Sequence, residues 1–238
     1  MEIASTPAEI FRMKEAGRGF RNAVRINNGL LGAVEKRLLI WTANRMPAGV
    51  NSDHLTVLGL LGMIAAGVCY AGSAGRPWML LAVNVCLAVN WFGDSLDGTL
   101  ARVRNRQRPR YGFYVDHIVD VFGALALLTG MALSGRMSPM IAGGVLVAFL
   151  FLSIETYLAT YTLGEFHLNF GLFGPTELRI LLVIGNLFLI HYRMGRAFGR
   201  PMLVLDIGGI CAMAGMTAMM LWAVAVHTAK LYNEERLG

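Results

Sequence analysis

Charge is what this chain has least of. Only 15% of its 238 residues are Asp, Glu, Lys or Arg, whereas a soluble domain carries about a quarter. The charges it has are clustered, and the stretches between them are apolar. A run of about 18 apolar residues is long enough to cross a bilayer. A single soluble domain could bury one core, but it has no use for several such runs. Cysteine is also scarce. Cys69, Cys86 and Cys211 each lie inside an apolar run, with no partner at metal-ligand spacing. They read as small core residues and say nothing about redox compartment. The first thirty residues are polar and basic, so no cleavable signal peptide is visible. The first span is expected to serve as the targeting signal. Low-complexity tracts and strong internal repeats are missing too, which leaves one domain: a membrane domain over 31–238, preceded by a cytoplasmic segment over 1–30.

What is present is a polytopic helical pattern. Hydrophobic residues make up 55% of the chain, and the net charge is +6. A basic balance can mark a nucleic-acid binder or loops facing anionic lipid headgroups. The basic residues flank apolar spans, so lipid is the expected partner and nucleic acid is not. The expected fold is all-α, with six transmembrane helices at about 54–73, 76–102, 112–134, 138–163, 175–195 and 203–230. An amphipathic interfacial helix over 31–46 comes first, because Leu31, Val34, Leu38 and Trp41 recur at spacings of three and four. Pro47 ends it. Lysine and arginine set the orientation. With a cytoplasmic N-terminus, sixteen of them fall on the cytoplasmic side and five on the other, although Arg193, Arg196 and Arg200 run against the bias.

The second span ends and the third begins with acids. Asp94 and Asp97 are three apart, and Asp116 and Asp120 are four apart, so each pair shares one side of its helix. A tight turn between the helices would bring all four carboxylates together near the cytoplasmic face. Such a cluster repels itself strongly, and ionisable groups within spans mark function. All-carboxylate sites suit Mg²⁺, Mn²⁺ or Ca²⁺, and two such ions would neutralise the cluster and clamp phosphate oxygens. Gly98 and Gly112 leave room for a ligand beside the backbone, and Arg102 offers a forked pair of donors to phosphate. The competing reading, aspartates that cap helix ends and pair with a basic loop, accounts poorly for four acids at helical spacing.

Residues 94–120 read Asp-x2-Asp-Gly-x2-Ala-Arg-x9-Gly-x3-Asp-x3-Asp. This resembles, without a departure, the signature of the CDP-alcohol phosphotransferases. The resemblance implies an enzyme of phospholipid synthesis that moves a substituted phosphate group from a CDP-linked donor to an alcohol and releases CMP. It also implies that Asp94, Asp97 and Asp116 ligate Mg²⁺ or Mn²⁺, two ions in all, with Asp97 bridging them. Asp120 would complete the metal site and act as the general base. Gly98, Ala101, Arg102 and Gly112 would line the CDP pocket. A homodimer in a membrane, with a cytoplasm-facing site, is part of the same expectation; the bacterial inner membrane is the expected location.

Weaker signals stay open. Asn51, His54 and Thr56 fit either nucleotide contact or N-capping. His117 reads as packing. Glu155 is balanced between a functional role and an interhelical hydrogen bond. Glu165, His167, Glu177 and Arg179 are candidates for the acceptor headgroup or a lipid phosphate. Arg104, Arg106, Arg108 and Arg110 read as a solvated, lipid-attracted loop. The donor is either CDP-diacylglycerol with a small polar acceptor, or a CDP-linked amino alcohol such as CDP-choline or CDP-ethanolamine with diacylglycerol as acceptor. A cation transporter with an acidic intramembrane site is the alternative of another class, and it leaves Arg102 and the paired glycines without a use.

Overall fold

The structure, a computed structural model, describes residues 32–163, 175–197 and 199–236, with side chains from residue 35 onward. Leu31 and the segment 1–30 therefore lie outside the described residues. In lipid every backbone amide must find its partner within the segment, so apolar runs of this length become helices. Among the described residues seven helices form: α1 (Gly32–Ala43), α2 (Ser52–Gly72), α3 (Met79–Val103), α4 (Pro109–Leu133), α5 (Pro139–Leu163), α6 (Pro175–Leu189) and α7 (Val204–Glu234). The protein is an all-α polytopic membrane protein. Among the described residues, α2, α3, α4, α5 and α7 are long and apolar enough to cross a membrane. The fifth expected span, 175–195, is the exception: its helix α6 has 15 residues, or about 22 Å at 1.5 Å per residue.

Beyond α6 the chain forms a two-stranded antiparallel hairpin, β1 (Met194–Ala197) and β2 (Arg200–Leu203), turning at Gly199 with φ +73°. Helical reading of the sequence does not anticipate it. Arg193 ends the preceding run by donating from Nη2 to the Gly135 carbonyl at 2.5 Å. That bond ties the chain to the turn between α4 and α5.

Glycine lets α2 lie directly on α3 and α4. A Cβ on Gly93 of α3 would stand 2.5 Å from the Leu55 carbonyl oxygen and 2.6 Å from the Gly59 nitrogen. Gly59 and Gly62 serve the same close approach. Both are buried, and a Cβ on Gly62 would meet the Asn90 nitrogen at 2.8 Å.

The main core of Tyr70, Leu80, Val83, Leu87, Leu127 and Met131 fills the bundle away from the aspartates. A smaller cluster of Leu39, Ala43, Leu55, Leu96 and Leu100 docks α1. The face that α1 buries is thus Leu39 and Ala43, whereas Leu38 and Trp41 are 49% and 55% exposed. This suits a helix resting in the interface, with its exposed apolar residues toward lipid.

Arg136 is 4% exposed, at the end opposite the aspartates. It donates to Ser73 Oγ at 3.0 Å, to the Ser73 carbonyl at 2.9 Å and to the Leu189 carbonyl at 3.3 Å. It therefore joins the ends of α2 and α6 to the α4–α5 turn. Leaving a buried acceptor without its donor costs about 1–3 kcal/mol. Arg136→Met is expected to lower the melting temperature in detergent by roughly 4 °C or more. An unchanged melting temperature in a detergent thermal scan would deny Arg136 this role.

Candidate active site

The last turns of α3 and the first turns of α4 meet, as the spacing requires. Asp94, Asp97, Asp116 and Asp120 all line one cleft. Its walls also carry Thr56 and Gly59 of α2, Asn90 of α3 and Arg179 of α6, with Leu60, Met63 and Val119 as the apolar part. Asp94, Asp97 and Asp116 are half-buried, and Asp120 is exposed to the cleft.

Two of the carboxylates are held by protein donors. Arg179 Nη2 donates to Asp94 Oδ2 at 2.7 Å, and Arg179 Nε donates to Asn90 Oδ1 at 2.8 Å. Asn90 in turn donates from Nδ2 to the Gly59 carbonyl at 3.0 Å. Thr56 Oγ1 donates to Asp97 Oδ2 at 2.6 Å, and Asp97 Oδ1 accepts from the Gly98 N–H. Ser52 Oγ donates to the Asp97 backbone carbonyl at 3.0 Å. Each aspartate of the α3 pair is thereby fixed from a different neighbouring helix, Asp94 from α6 and Asp97 from α2.

The donor set is chemically right for a hard divalent cation: carboxylate oxygens, no sulfur, no imidazole. Among the described residues, however, no three such side chains already close on a single point. Asp94 Oδ2 meets Arg179 and Asp97 Oδ2 meets Thr56.

The other signature residues continue toward the α3–α4 turn and are not part of the cleft lining. Gly98 and Ala101 are half-buried, while Arg102 and Gly112 are exposed. Arg102 Nη2 donates to Thr99 Oγ1 at 3.0 Å. A Cβ on Gly112 would meet nothing within 4 Å, so no packing inside the chain demands glycine there.

The weaker candidates separate. The Asn51 N–H donates to His54 Nδ1 at 3.2 Å at the start of α2, which is capping, whereas Thr56 reaches the cleft. His117 packs between Phe113 and Tyr157, tilted on the first and edge-on to the second, with ring centroids at 4.2 and 4.8 Å. Glu155 pairs with His227 Nδ1 at 2.6 Å, joining α5 to α7. Of the basic loop, Arg104 is not simply solvated: it donates to the carbonyls of Met46, Pro47 and Val50, closing the end of α1. Arg108 pairs with Asp53. Glu165 and His167 lie outside the described residues. Glu177 and Arg179 are on α6, and of these two Arg179 enters the cleft. Asn90 is the cleft residue that sequence reading passes over; its signal is a carboxamide one turn before Asp94 in an otherwise apolar run.

The model of the family described as CDP-alcohol phosphatidyltransferase matches residues 50–230, which include α2, the cleft and most of α7. A relative, archaetidylinositol phosphate synthase of Pyrococcus horikoshii, is 28% identical over 147 residues, covering 59% of this chain and 71% of the relative. With the match running through the whole bundle and the four aspartates meeting in one cleft, the chain belongs to the CDP-alcohol phosphatidyltransferase family.

Proposed function

We propose that this membrane enzyme transfers a phosphatidyl-type group from a CDP-linked lipid donor to a phosphorylated polyol, in a cleft facing the cytoplasm, and releases CMP. The observation that carries the choice of acceptor is Arg179, a guanidinium inside a cleft otherwise charged by four aspartates. A planar fork of donors suits a phosphate. The relative's name, archaetidylinositol phosphate synthase, contains a phosphorylated inositol headgroup and supports the same acceptor class. A diacylglycerol acceptor brings no phosphate of its own, so it would give Arg179 no acceptor phosphate to meet.

The cleft residues divide the work. Asp120, exposed to the cleft, accepts the proton of the acceptor hydroxyl, which requires hydrogen-bond reach. The freed oxygen attacks the phosphorus distal to cytidine. The bond from that phosphorus to the bridging oxygen breaks, and CMP leaves with the electron pair. Arg179 holds the acceptor phosphate and exchanges part of its pairing with Asp94 for it. Gly98, Ala101, Arg102 and Gly112 contact the CDP portion of the donor. Mg²⁺ or Mn²⁺, two ions held by Asp94, Asp97, Asp116 and Asp120, would supply charge neutralisation of the diphosphate. The cytoplasmic placement is supported by the basic connection between α3 and α4 beside the cleft. A homodimer completes the proposal.

The test is CMP release by purified protein across a panel. One arm pairs CDP-diacylglycerol with glycerol phosphate, inositol phosphate or serine. The other pairs CDP-choline or CDP-ethanolamine with diacylglycerol. The lipid product is then weighed by mass spectrometry. Turnover is expected with a phosphorylated polyol, to stop with EDTA, and to return with Mg²⁺ or Mn²⁺. Turnover confined to diacylglycerol would overturn the acceptor assignment. Silence with every donor would overturn the reaction.

A further inference from the structure

We propose that Glu35, on the interfacial helix α1, is a positioning residue that holds α6 against α3 so that Arg179 stays aimed into the cleft when its bond to Asp94 is given up. The inference rests on the reading of Arg179 as the group that meets the acceptor phosphate.

One carboxylate oxygen of Glu35 gathers donors from two other helices. Glu35 Oε1 accepts from Trp91 Nε1 at 2.8 Å, from Thr176 Oγ1 at 3.0 Å and, more weakly, from Ser95 Oγ at 3.4 Å. These donors surround the acidic site in sequence. Trp91 lies one turn before Asp94, Ser95 directly follows it, and Thr176 lies one turn before Arg179. Hydrogen bonds to an ionised carboxylate are stronger than neutral ones.

The helix that needs this clasp is α6. In its first two turns Leu178, Ile180 and Leu181 are exposed, and apolar packing against the main core begins only at Leu182 and Val183. Its buried residues, Asn186 and Leu189, sit at the other end, where Asn186 binds Tyr70 at 2.6 Å and Asn84 at 2.8 Å. Near the cleft, α6 is tied to its neighbours through Thr176 to Glu35 and through Arg179 to Asn90 and Asp94. Thr176 and Arg179 are three apart and share one side of the helix. An arriving phosphate competes with Asp94 for Arg179, whereas nothing in the reaction competes for Thr176. The Glu35 clasp is therefore a tie that persists through turnover, beside the bond of Arg179 to Asn90.

The experiment measures steady-state kinetics for Glu35→Ala, Glu35→Gln and Thr176→Val, using CDP-diacylglycerol with inositol phosphate or glycerol phosphate. Thr176→Val keeps the side-chain shape and removes only the hydroxyl. Glu35→Ala and Thr176→Val are expected to raise KM for the phosphorylated acceptor about tenfold, the loss of one hydrogen bond to a charged group. The donor KM and kcat are expected to stay within about twofold, well under one lost hydrogen bond. Glu35→Gln, whose amide oxygen still accepts, is expected to keep the acceptor KM close to the wild-type value. In an Arg179→Gln background, Glu35→Ala is expected to add less than about twofold, because residues acting through one another are not additive. A merely structural anchor for α1 would instead lower kcat, raise both KM values together, or multiply with Arg179→Gln; any of these overturns the inference while leaving the proposed reaction standing. If wild-type protein uses diacylglycerol and no phosphorylated acceptor, the role of Arg179 fails and this inference fails with it.

Discussion

Asp120→Asn is expected to abolish CMP release while the CDP-linked donor still binds. Of the four aspartates, Asp120 is the one exposed to the cleft; Asp94, Asp97 and Asp116 are half-buried, and the α3 pair is held by Arg179, Thr56 and the Gly98 amide. Asparagine keeps the size and the hydrogen-bonding reach, but its amide has no basic site for the acceptor proton. Loss of a positioned base costs about 10²–10⁴-fold in rate, and loss of a negative charge from the acidic cluster adds to it. A fall of at least about a thousandfold is therefore expected, with the donor's dissociation constant changed less than threefold, under a lost hydrogen bond. Asp94→Asn and Asp97→Asn are expected to fail differently. They remove the acceptors of Arg179 and Thr56, so donor binding and metal dependence should weaken together. Rates of CMP release and equilibrium binding of a labelled CDP-linked lipid separate the two patterns. Wild-type rates in Asp120→Asn would remove this carboxylate from the chemistry.

The acidic cleft was legible in sequence because it depends on local geometry. Spacings of three and four convert directly into one face of a helix, and nine residues between Arg102 and Gly112 leave no freedom but a tight return. Five of the six expected spans were legible for a similar reason: length and apolarity are local sums. What could not be read depends on which helix lies against which. The Thr56–Asp97 and Arg179–Asp94 contacts exist only once α2 and α6 are placed on α3. The burial pattern of α1 shows a second limit. In an interface both lipid and protein accept apolar side chains, so the three-four pattern of Leu38 and Trp41 marks the lipid face as well as it could mark a protein face. The hairpin over 194–203 escaped because its glycines and Pro201 look like an ordinary connection. Glu155, evenly balanced in sequence, needed its partner 72 residues away to read as an interhelical bond.

Gly130→Leu is expected to prevent the bundle from closing at all. Gly130 of α4 faces the backbone of Gly67 on α2, and Gly67 faces the backbone of Ala126 on α4. The two helices therefore touch backbone to backbone, and a Cβ at either glycine would overlap main-chain atoms. Overpacking by a side chain against side chains costs about 1–3 kcal/mol because rotamers can shift. Here the obstacle is a carbonyl group fixed in a helix, so relief requires moving α2 away from α4. That movement shifts the α2 wall of the cleft, Thr56 and Gly59, away from Asp116 and Asp120 on α4. Gly130→Leu should consequently lose the monodisperse folded species on size-exclusion chromatography and, in any residual folded fraction, lose CMP release. Gly143→Leu on α5 is the matched control, since a Cβ there meets nothing within 4 Å. It is expected to elute and melt like the wild type. A folded, active Gly130→Leu with an unchanged melting temperature would mean that α2 and α4 do not approach this closely.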